Sequence, residues 1–297
     1  MSVVLLGVKE TAPGERRVAL TPETAKKLSA LGVTVWFESG AGMDAGFGDA
    51  AYEAAGATRM DDSRWAEVDV LLCVQAPAAA RLARLPAGAS VVGLLQPATD
   101  ATLAALATAP GLQLFPLQQL PRTTRAQSMD VLSSQAGMAG YKATLIAASR
   151  APRFFPMLTT AAGTVRPARV LVVGAGVAGL QAIATARRLG AQVEGFDVRP
   201  ETREQIQSLG ARFLDLGVSA AGEGGYARAL DEDERALQQQ RLGDHLRAID
   251  VVICTAAVPG RRAPVILSAD MVGGMLPGSV IVDLAAESGG NCALTVP

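Results

Sequence analysis

The sequence predicts an α/β fold with mainly parallel sheets, divided into two domains. Three observations carry that expectation. Strand-like and helix-like runs alternate along the whole chain, as successive βαβ units require. An apolar run, Val170–Val173, enters a glycine-rich turn, and a helical pattern follows to Leu189. The 297 residues suffice for one large domain or two moderate ones, each with a buried core.

Taken in order, Val3–Val8 reads as the first strand. Residues Pro22–Leu31 read as a helix, opened by Thr21 as N-cap with Pro22 in its first turn and stopped by Gly32. A second strand covers Val33–Glu38, and a short helix over Ala50–Ala55 ends at Gly56. Strands follow at Val68–Val74, Ser90–Leu95 and Leu112–Pro116, with a helix over Thr99–Ala107 between the last two. One long helical pattern runs from Ala126 to Ala148, and a second α/β unit begins at Arg169 after the stretch Pro152–Pro167. The domain boundary is expected within 130–165, giving domains 1–135 and 136–297. Further strands are expected at Gln192–Phe196, Val251–Thr255 and Val280–Leu284. The Gly/Ala/Ser stretch Gly217–Gly225 reads as a flexible loop. There is no repeat of fixed period and no low-complexity segment.

Composition narrows the function. Apolar residues make up 49% and charged residues 19%, which is globular rather than disordered. Lys+Arg total 27 against 28 Asp+Glu, a net charge of −1, so nothing points to a nucleic acid or another polyanion. Cys73, Cys254 and Cys292 are far apart and form no C-x-x-C. A disulfide framework or zinc site is therefore not expected, and a reducing cytoplasm is the compartment that fits. The first nine residues lack a basic n-region and a cleavage site and read as a strand rather than a signal peptide. The most apolar long run, Val170–Ala186, is interrupted by Gly174, Gly176 and Gly179, so it is not expected to span a membrane.

Gly174-Ala175-Gly176-Val177-Ala178-Gly179 is a G-x-G-x-x-G in the strand–turn–helix setting that gives the motif meaning. The first glycine allows the tight turn, the second lets a pyrophosphate approach the backbone, and the third lets helix and strand pack closely. The helix N-terminus adds free N–H groups and the positive end of a dipole. The next strand ends in Asp197, followed by Val198 and Arg199. A carboxylate there accepts hydrogen bonds from the adenosine ribose and repels a 2′-phosphate, which favours NAD(H) over NADP(H). Arg199 pulls the other way, because an arginine nearby can accommodate that phosphate. A glycine-rich turn of an ordinary α/β protein is the bland alternative, and the whole constellation argues against it. Both domains are therefore expected to be Rossmann-like, with a cleft between them. Thr255, Ala256 and Ala257, at a later strand end, are expected toward the nicotinamide side, with a plain strand-to-loop turn an equally good reading.

Pro121-Arg-Thr-Thr-Arg-Ala-Gln-Ser-Met-Asp130 is unusually polar for a segment entering a long helix. A helix start would explain part of it. Thr124 and Gln127 have capping-box spacing, and Asp130 would sit where the helix dipole favours negative charge. It explains Arg122 together with Asp130 less well.

These residues carry a resemblance. The chain resembles the NAD(H)-binding component, or α subunit, of proton-translocating NAD(P) transhydrogenase and, more distantly, alanine dehydrogenase. The likeness runs from Gly7-Val-Lys-Glu-Thr11 and Gly14-Glu-Arg-Arg-Val-Ala-Leu20 to Gly289-Gly-Asn-Cys292. Its most specific stretches are Arg122–Asp130, Gly176–Ala186 and Asp283–Cys292. The resemblance implies that Arg122, Gln127 and Asp130 hold the dihydronicotinamide facing a partner's NADP(H), with Arg125 and Ala126 beside it. It implies that Ser133 lies close to the carboxamide and that Tyr226, after Gly225, tips a loop closing over bound nucleotide. It further implies a homodimer, a membrane-embedded partner, a peripheral cytoplasmic location and the Si-specific/Re-specific type of transhydrogenase, active only with its partner subunit. Two departures stand out. Family members continue past this point with another strand and a long helix returning to the first domain, so a C-terminally short second domain is expected. Arg261-Arg262 stands where Lys-Pro is expected.

Alanine dehydrogenase must move a proton as well as a hydride and needs an acid/base group. Its family places a lysine and a histidine where this chain has Gln75 and Gln96. Neither amide titrates. Arg17 matches an arginine of that enzyme's substrate site and suits the transhydrogenase pattern equally. The single histidine, His245, lies in a polar helix and is expected on the surface. Direct hydride transfer between two nicotinamides needs no acid, base or metal. The expected reaction is NADH + NADP⁺ ⇌ NAD⁺ + NADPH. An amino-acid dehydrogenase and a nucleotide-binding module without hydride transfer are the alternatives.

Overall fold

The computed structural model describes residues 2–95, 100–108, 111–121, 123–220, 228, 230–257 and 262–297. The backbone divides into two compact units, Met1–Val131 and Leu132–Pro297. Each is built on its own parallel sheet.

The first unit has six strands in the order β3-β2-β1-β4-β5-β6. They are β1 Val4–Gly7, β2 Thr34–Phe37, β3 Thr58–Arg59, β4 Val70–Gln75, β5 Ser90–Leu94 and β6 Gln113–Pro116. Helices α1 Pro22–Ala30, α2 Asp49–Ala54, α3 Ala79–Leu82 and α4 Ala101–Thr108 form the connections. Every strand pair is parallel, so crossovers cover both faces, and the central strands carry buried residues on both sides. Successive side chains point to opposite faces. Leu6, Trp36, Leu71 and Val91 pack on one side of the sheet, and Leu5, Val35, Phe37 and Tyr52 on the other.

The second unit repeats the plan with five strands in the order β11-β10-β9-β12-β13. They are β9 Arg169–Val173, β10 Gln192–Phe196, β11 Arg212–Phe213, β12 Val251–Cys254 and β13 Val280–Asp283. Its helices are α5 Val131–Arg150, α6 Val177–Arg188, α7 Thr202–Ser208, α8 Glu232–Leu246 and α9 Ala269–Gly273. Val170, Val172, Val251 and Ile253 meet Ile183 and Ile206 on one face. Leu171, Val173, Val252 and Phe196 meet Leu242, Leu246 and Leu267 on the other. This is a Rossmann-like arrangement. The direction of winding reverses between β9 and β12, and in open parallel sheets ligands bind outside the strand ends at that point. Helix α5 joins this unit through small residues. A Cβ on Gly140 would stand 2.0 Å from the Ala178 carbonyl oxygen, and the buried Thr144 hydroxyl lies 3.3 Å from the Ala182 carbonyl oxygen.

Two expectations need correction here. The helical pattern over Ala126–Ala148 is two elements. A 3-10 helix over Thr124–Met129 ends at Asp130, whose ψ of 89° is not helical, and α5 begins at Val131. The capping box at Thr124 and Gln127 does not form, because the cap position falls on Thr123 and no side chain bonds there. The stretch Pro152–Pro167, between α5 and β9, has structure of its own. It holds an antiparallel hairpin, β7 Leu158–Thr160 with β8 Gly163–Val165, all six residues exposed.

Candidate functional site

The C-terminal ends of β9, β10 and β12 converge on the glycine turn. Gly174 has φ +95°, a conformation L side chains rarely adopt, and its N–H donates to the Phe196 carbonyl at the end of β10. A Cβ on Gly179 would stand 1.8 Å from the Gly174 carbonyl oxygen, so only glycine lets α6 start this close to β9. Gly176 is different. Its φ of −78° suits any residue, and a Cβ there would meet nothing within 4 Å. Space is therefore open above the turn. Gly176 is the N-cap of α6 and supplies no side-chain cap, and Val177 next to it is exposed. The N–H groups of the first turn thus have no cap side chain, the condition under which a helix start receives an anion.

Asp197 sits just beyond β10, 8% exposed. Its Oδ2 accepts from the Ala175 N–H at 2.7 Å, which ties the glycine turn to the neighbouring strand end. Arg199 folds back on the same carboxylate, its N–H and Nε on Oδ1 (both 2.9 Å) and its Nη2 on Oδ2 (2.7 Å). Burial works against ionisation of Asp197. The Arg199 side chain and the two backbone N–H groups outweigh it and hold the carboxyl below its ordinary range. A fixed negative charge therefore stands at this strand end, with a guanidinium paired to it. Val198, between them, accepts from the Ala220 N–H at 2.7 Å.

Across the switch point, the Thr255 hydroxyl donates to the Gly174 carbonyl at 2.9 Å. The next residue, Ala256, is gripped by a side chain that sequence reasoning gave no role. Asn291 Oδ1 accepts from the Ala256 N–H (2.9 Å), and its Nδ2 donates to the Ala256 carbonyl (2.7 Å). Ala257 is exposed. Gly174, Gly176, Val177, Gly179, Asp197, Val198, Arg199, Thr255 and Ala256 are thus gathered by three adjacent strand ends. Arg125, Ala126 and Gln127 share the 3-10 helix of the first unit, with Ala126 buried and the other two exposed. Asp130 closes that helix, and Ser133 lies half-buried in the first turn of α5. Arg122, Gln96, Gly225, Tyr226 and Arg261 lie outside the described residues.

The first unit's strand ends hold charges bonded to one another. Arg17 Nε and Nη2 bond both oxygens of Glu15 (2.8 and 2.6 Å), and the Gln75 amide donates to Glu15 Oε2 at 3.1 Å. His245 is half-buried rather than fully exposed. Its Nε2 lies 2.5 Å from Oε2 of the buried Glu194 on β10, so it ties α8 to the sheet. Among the described residues no cluster of His, Cys, Asp or Glu could hold a metal ion, and no helix is long and apolar enough to cross a membrane.

Known proteins share this arrangement. Residues 7–139 match the model for the alanine dehydrogenase/PNT N-terminal domain, and residues 143–297 match that for the alanine dehydrogenase/PNT C-terminal domain. The chain belongs to the alanine dehydrogenase/PNT family. Within the family it is more similar to transhydrogenase subunits than to the alanine dehydrogenases it matches. It is 46% identical to an NAD(P) transhydrogenase subunit alpha chain of Rhodospirillum rubrum, over 97% of this chain and 78% of that one. It is 46% identical to the NAD(P) transhydrogenase subunit alpha of Cereibacter sphaeroides, over 97% of this chain and 56% of that one. The alanine dehydrogenase of Halomonas elongata is 31% identical over 95% of this chain and 72% of its own. Solved structures follow the same order. The transhydrogenase from Sinorhizobium meliloti superposes with a TM-score of 0.89 at 44% identity, covering 98% of this chain and 81% of that one. An L-alanine dehydrogenase superposes at 0.82 with 26% identity, covering 99% and 77%.

Proposed function

We propose that the chain is the NAD(H)-binding component of a proton-translocating transhydrogenase of the Si-specific/Re-specific type. It gives a hydride directly to NADP⁺ held by a partner subunit, and membrane-embedded partners couple that exchange to proton movement. The observation that carries the cofactor reading is the open turn at Gly176. It combines vacant space above the backbone, a helix start without a cap, and an ionised Asp197 on the adjoining strand end. A pyrophosphate fits the turn, and the Asp197 carboxylate suits ribose hydroxyls while repelling a 2′-phosphate. Arg199 is occupied by that carboxylate, which argues against its serving as a phosphate receptor.

When bound, the nucleotide supplies the hydride, and this chain's residues bind, orient and exclude water. Gly174, Gly176, Val177 and Gly179 seat the pyrophosphate. Asp197 takes the adenosine ribose, with Val198 and Arg199 beside it. Thr255, Ala256 and Ala257 border the nicotinamide half. The resemblance assigns the dihydronicotinamide to Arg122, Gln127, Asp130 and Ser133, flanked by Arg125 and Ala126, and the closing loop to Gly225 and Tyr226. Exchange between two nicotinamides needs contact and dryness, with no acid or base. Mixing the chain with an NADP(H)-binding partner component should give hydride exchange from NADH, whereas the chain alone should bind NADH without turnover. An absence of exchange in the mixture, with NADH bound, would leave a binding module instead.

An amino-acid dehydrogenase is the weaker reading. The Arg17 guanidinium is engaged bidentately by Glu15, and Gln75 cannot titrate. Alanine oxidation by the isolated chain in the presence of NAD⁺ would reverse that preference. The exposed hairpin β7–β8 supports a homodimer, since a two-stranded ribbon is marginal alone and Phe154, Met157 and Val165 on and beside it are open to solvent. Light scattering should give twice the chain mass. A membrane-embedded partner would make the assembly peripheral on the cytoplasmic face.

A further inference from the structure

The stretch Asp283–Cys292 is one of the most distinctive in the sequence, and the hydride-transfer reading leaves it without a task. Its penultimate residue, Asn291, is fully buried and carries a dense set of hydrogen bonds. The side-chain amide meets both polar groups of Ala256, accepting from its N–H and donating to its carbonyl. The second amide proton goes to the Pro264 carbonyl at 2.8 Å. The Asn291 carbonyl accepts from the N–H groups of Ile266 and Leu267 at 2.8 and 2.9 Å. One residue therefore fixes Ala256 and Pro264, the two ends of the segment that follows β12.

Asn291 is in turn fixed by Asp283, the last residue of β13. Asp283 Oδ2 accepts from the Asn291 N–H (2.8 Å), the Cys292 N–H (3.0 Å) and the Thr295 hydroxyl (2.7 Å). Gly289 and Gly290, with φ of +108° and +78°, reverse the chain so that Asn291 returns to β12. On the other side, Thr255 bonds the carbonyl of Gly174. A continuous line of hydrogen bonds thus crosses the strand ends, from the glycine turn through Thr255 and Ala256 to Asn291 and Asp283. Ala256 has left the β-ladder, and the amide replaces a neighbouring strand for it. Only a side chain with a donor and an acceptor on one plane can do so.

We propose that Asn291, held in place by Asp283, is a positioning residue that sets the main chain of Thr255–Ala257 for the nicotinamide half of the bound nucleotide. This rests on the reading of the glycine turn as the pyrophosphate seat. With the pyrophosphate anchored at the turn and the adenosine toward Asp197, the nicotinamide half extends over the end of β12, where the amide grips the backbone. Asn291→Asp keeps the acceptor for the Ala256 N–H and loses both donated bonds. The lip then shifts while the turn and Asp197 stay as they were.

The test compares NADH with ADP, which has the adenosine and pyrophosphate but no nicotinamide, by titration of the full chain. In Asn291→Asp the NADH affinity should fall at least tenfold and the ADP affinity change less than twofold. The emission of bound NADH should also shift toward that of the free nucleotide. Unchanged NADH affinity, or equal loss for both ligands in a folded variant, overturns the proposal. If circular dichroism shows Asn291→Asp unfolded, Thr295→Val decides by the same comparison. It removes one bond to Asp283, and the expected effect is an NADH loss of about threefold with ADP unchanged. Equal effects, or none, overturn the proposal there too. A wild-type chain that binds neither ligand would instead remove the nucleotide reading on which the inference stands.

Discussion

The two units wind their sheets in the same order around a first strand, β1 in one and β9 in the other, yet the ends of those strands are chemically opposite. After β9 the chain turns through Gly174 and starts α6 within four residues, on a cap position with no side chain. After β1 it runs on for fourteen residues before α1, whose N-terminus is already served. Thr21 Oγ1 accepts from the Thr24 N–H, and Pro22 removes a donor. The glycines differ too. A Cβ on Gly7 would meet Leu20 Cβ at 2.7 Å, so Gly7 makes room for the chain's own core, whereas Gly176 faces open space. Glu10 fills the first unit's strand ends further, accepting from the N–H groups of Val74 and Gln75. The comparison teaches that the doubly wound sheet supplies only a place. Whether a dinucleotide can use it depends on a few residues that leave N–H groups and volume unclaimed.

That difference can be broken most severely at Gly179. Gly179→Ala drives a methyl into the Gly174 carbonyl, and because the obstacle is backbone the expected loss is about 3 kcal/mol of stability, the upper end for overpacking. NADH binding should go with it, as denaturant unfolding and titration of the same sample would show. Gly176→Ala sharpens the contrast. Its φ and its surroundings accept a methyl, so stability should change by no more than about 0.5 kcal/mol. The methyl occupies the volume assigned to pyrophosphate, and NADH affinity should fall at least tenfold, about 1.4 kcal/mol. Retained affinity would show that the open space is not where the nucleotide lies. In the first unit, Thr21→Ala should cost about 1 kcal/mol by removing the α1 cap while leaving NADH affinity unchanged.

A smaller, pH-dependent effect is expected at Glu15. The Arg17 side chain, opposed by burial and aided by the Arg17 N–H and the Gln75 amide, lowers its carboxyl from 4.5 to about 2. A carboxylate whose folded pKa is depressed stabilises fully above the unfolded value and loses that contribution as pH falls through the folded one. The stability gap between wild type and Glu15→Gln should therefore be constant above pH 4.5 and close as pH falls toward 2. A gap that widened in acid would mean that Glu15 is not held ionised by Arg17.

How much of this was legible in the sequence follows from the range of the interactions. The β9–turn–α6–β10 unit could be read because its signals are local. Val170–Val173 is apolar on both faces, the three glycines have fixed spacing, and Asp197 ends the next strand. The break at Asp130 could not be read, because no glycine or proline stands at it and it shows in the non-helical ψ of Asp130. His245 looked like a surface residue in a polar helix, since its partner Glu194 lies 51 residues away. Asn291 was visible as part of a distinctive motif, but the groups it serves, Ala256 and Pro264, are 35 and 27 residues distant. The hairpin β7–β8 carries no apolar alternation pointing to a core, and all its residues are exposed. The resemblance, by contrast, supplied roles for Gln127, Asp130 and Ser133 that local chemistry did not.

The central claim is that the second unit's turn and the fixed charge of Asp197 seat an adenosine without a 2′-phosphate. Parallel titration of the full chain with NADH and NADPH at one ionic strength tests it most directly. The account predicts tighter binding of NADH by at least tenfold, and equal affinity or a preference for NADPH would contradict it.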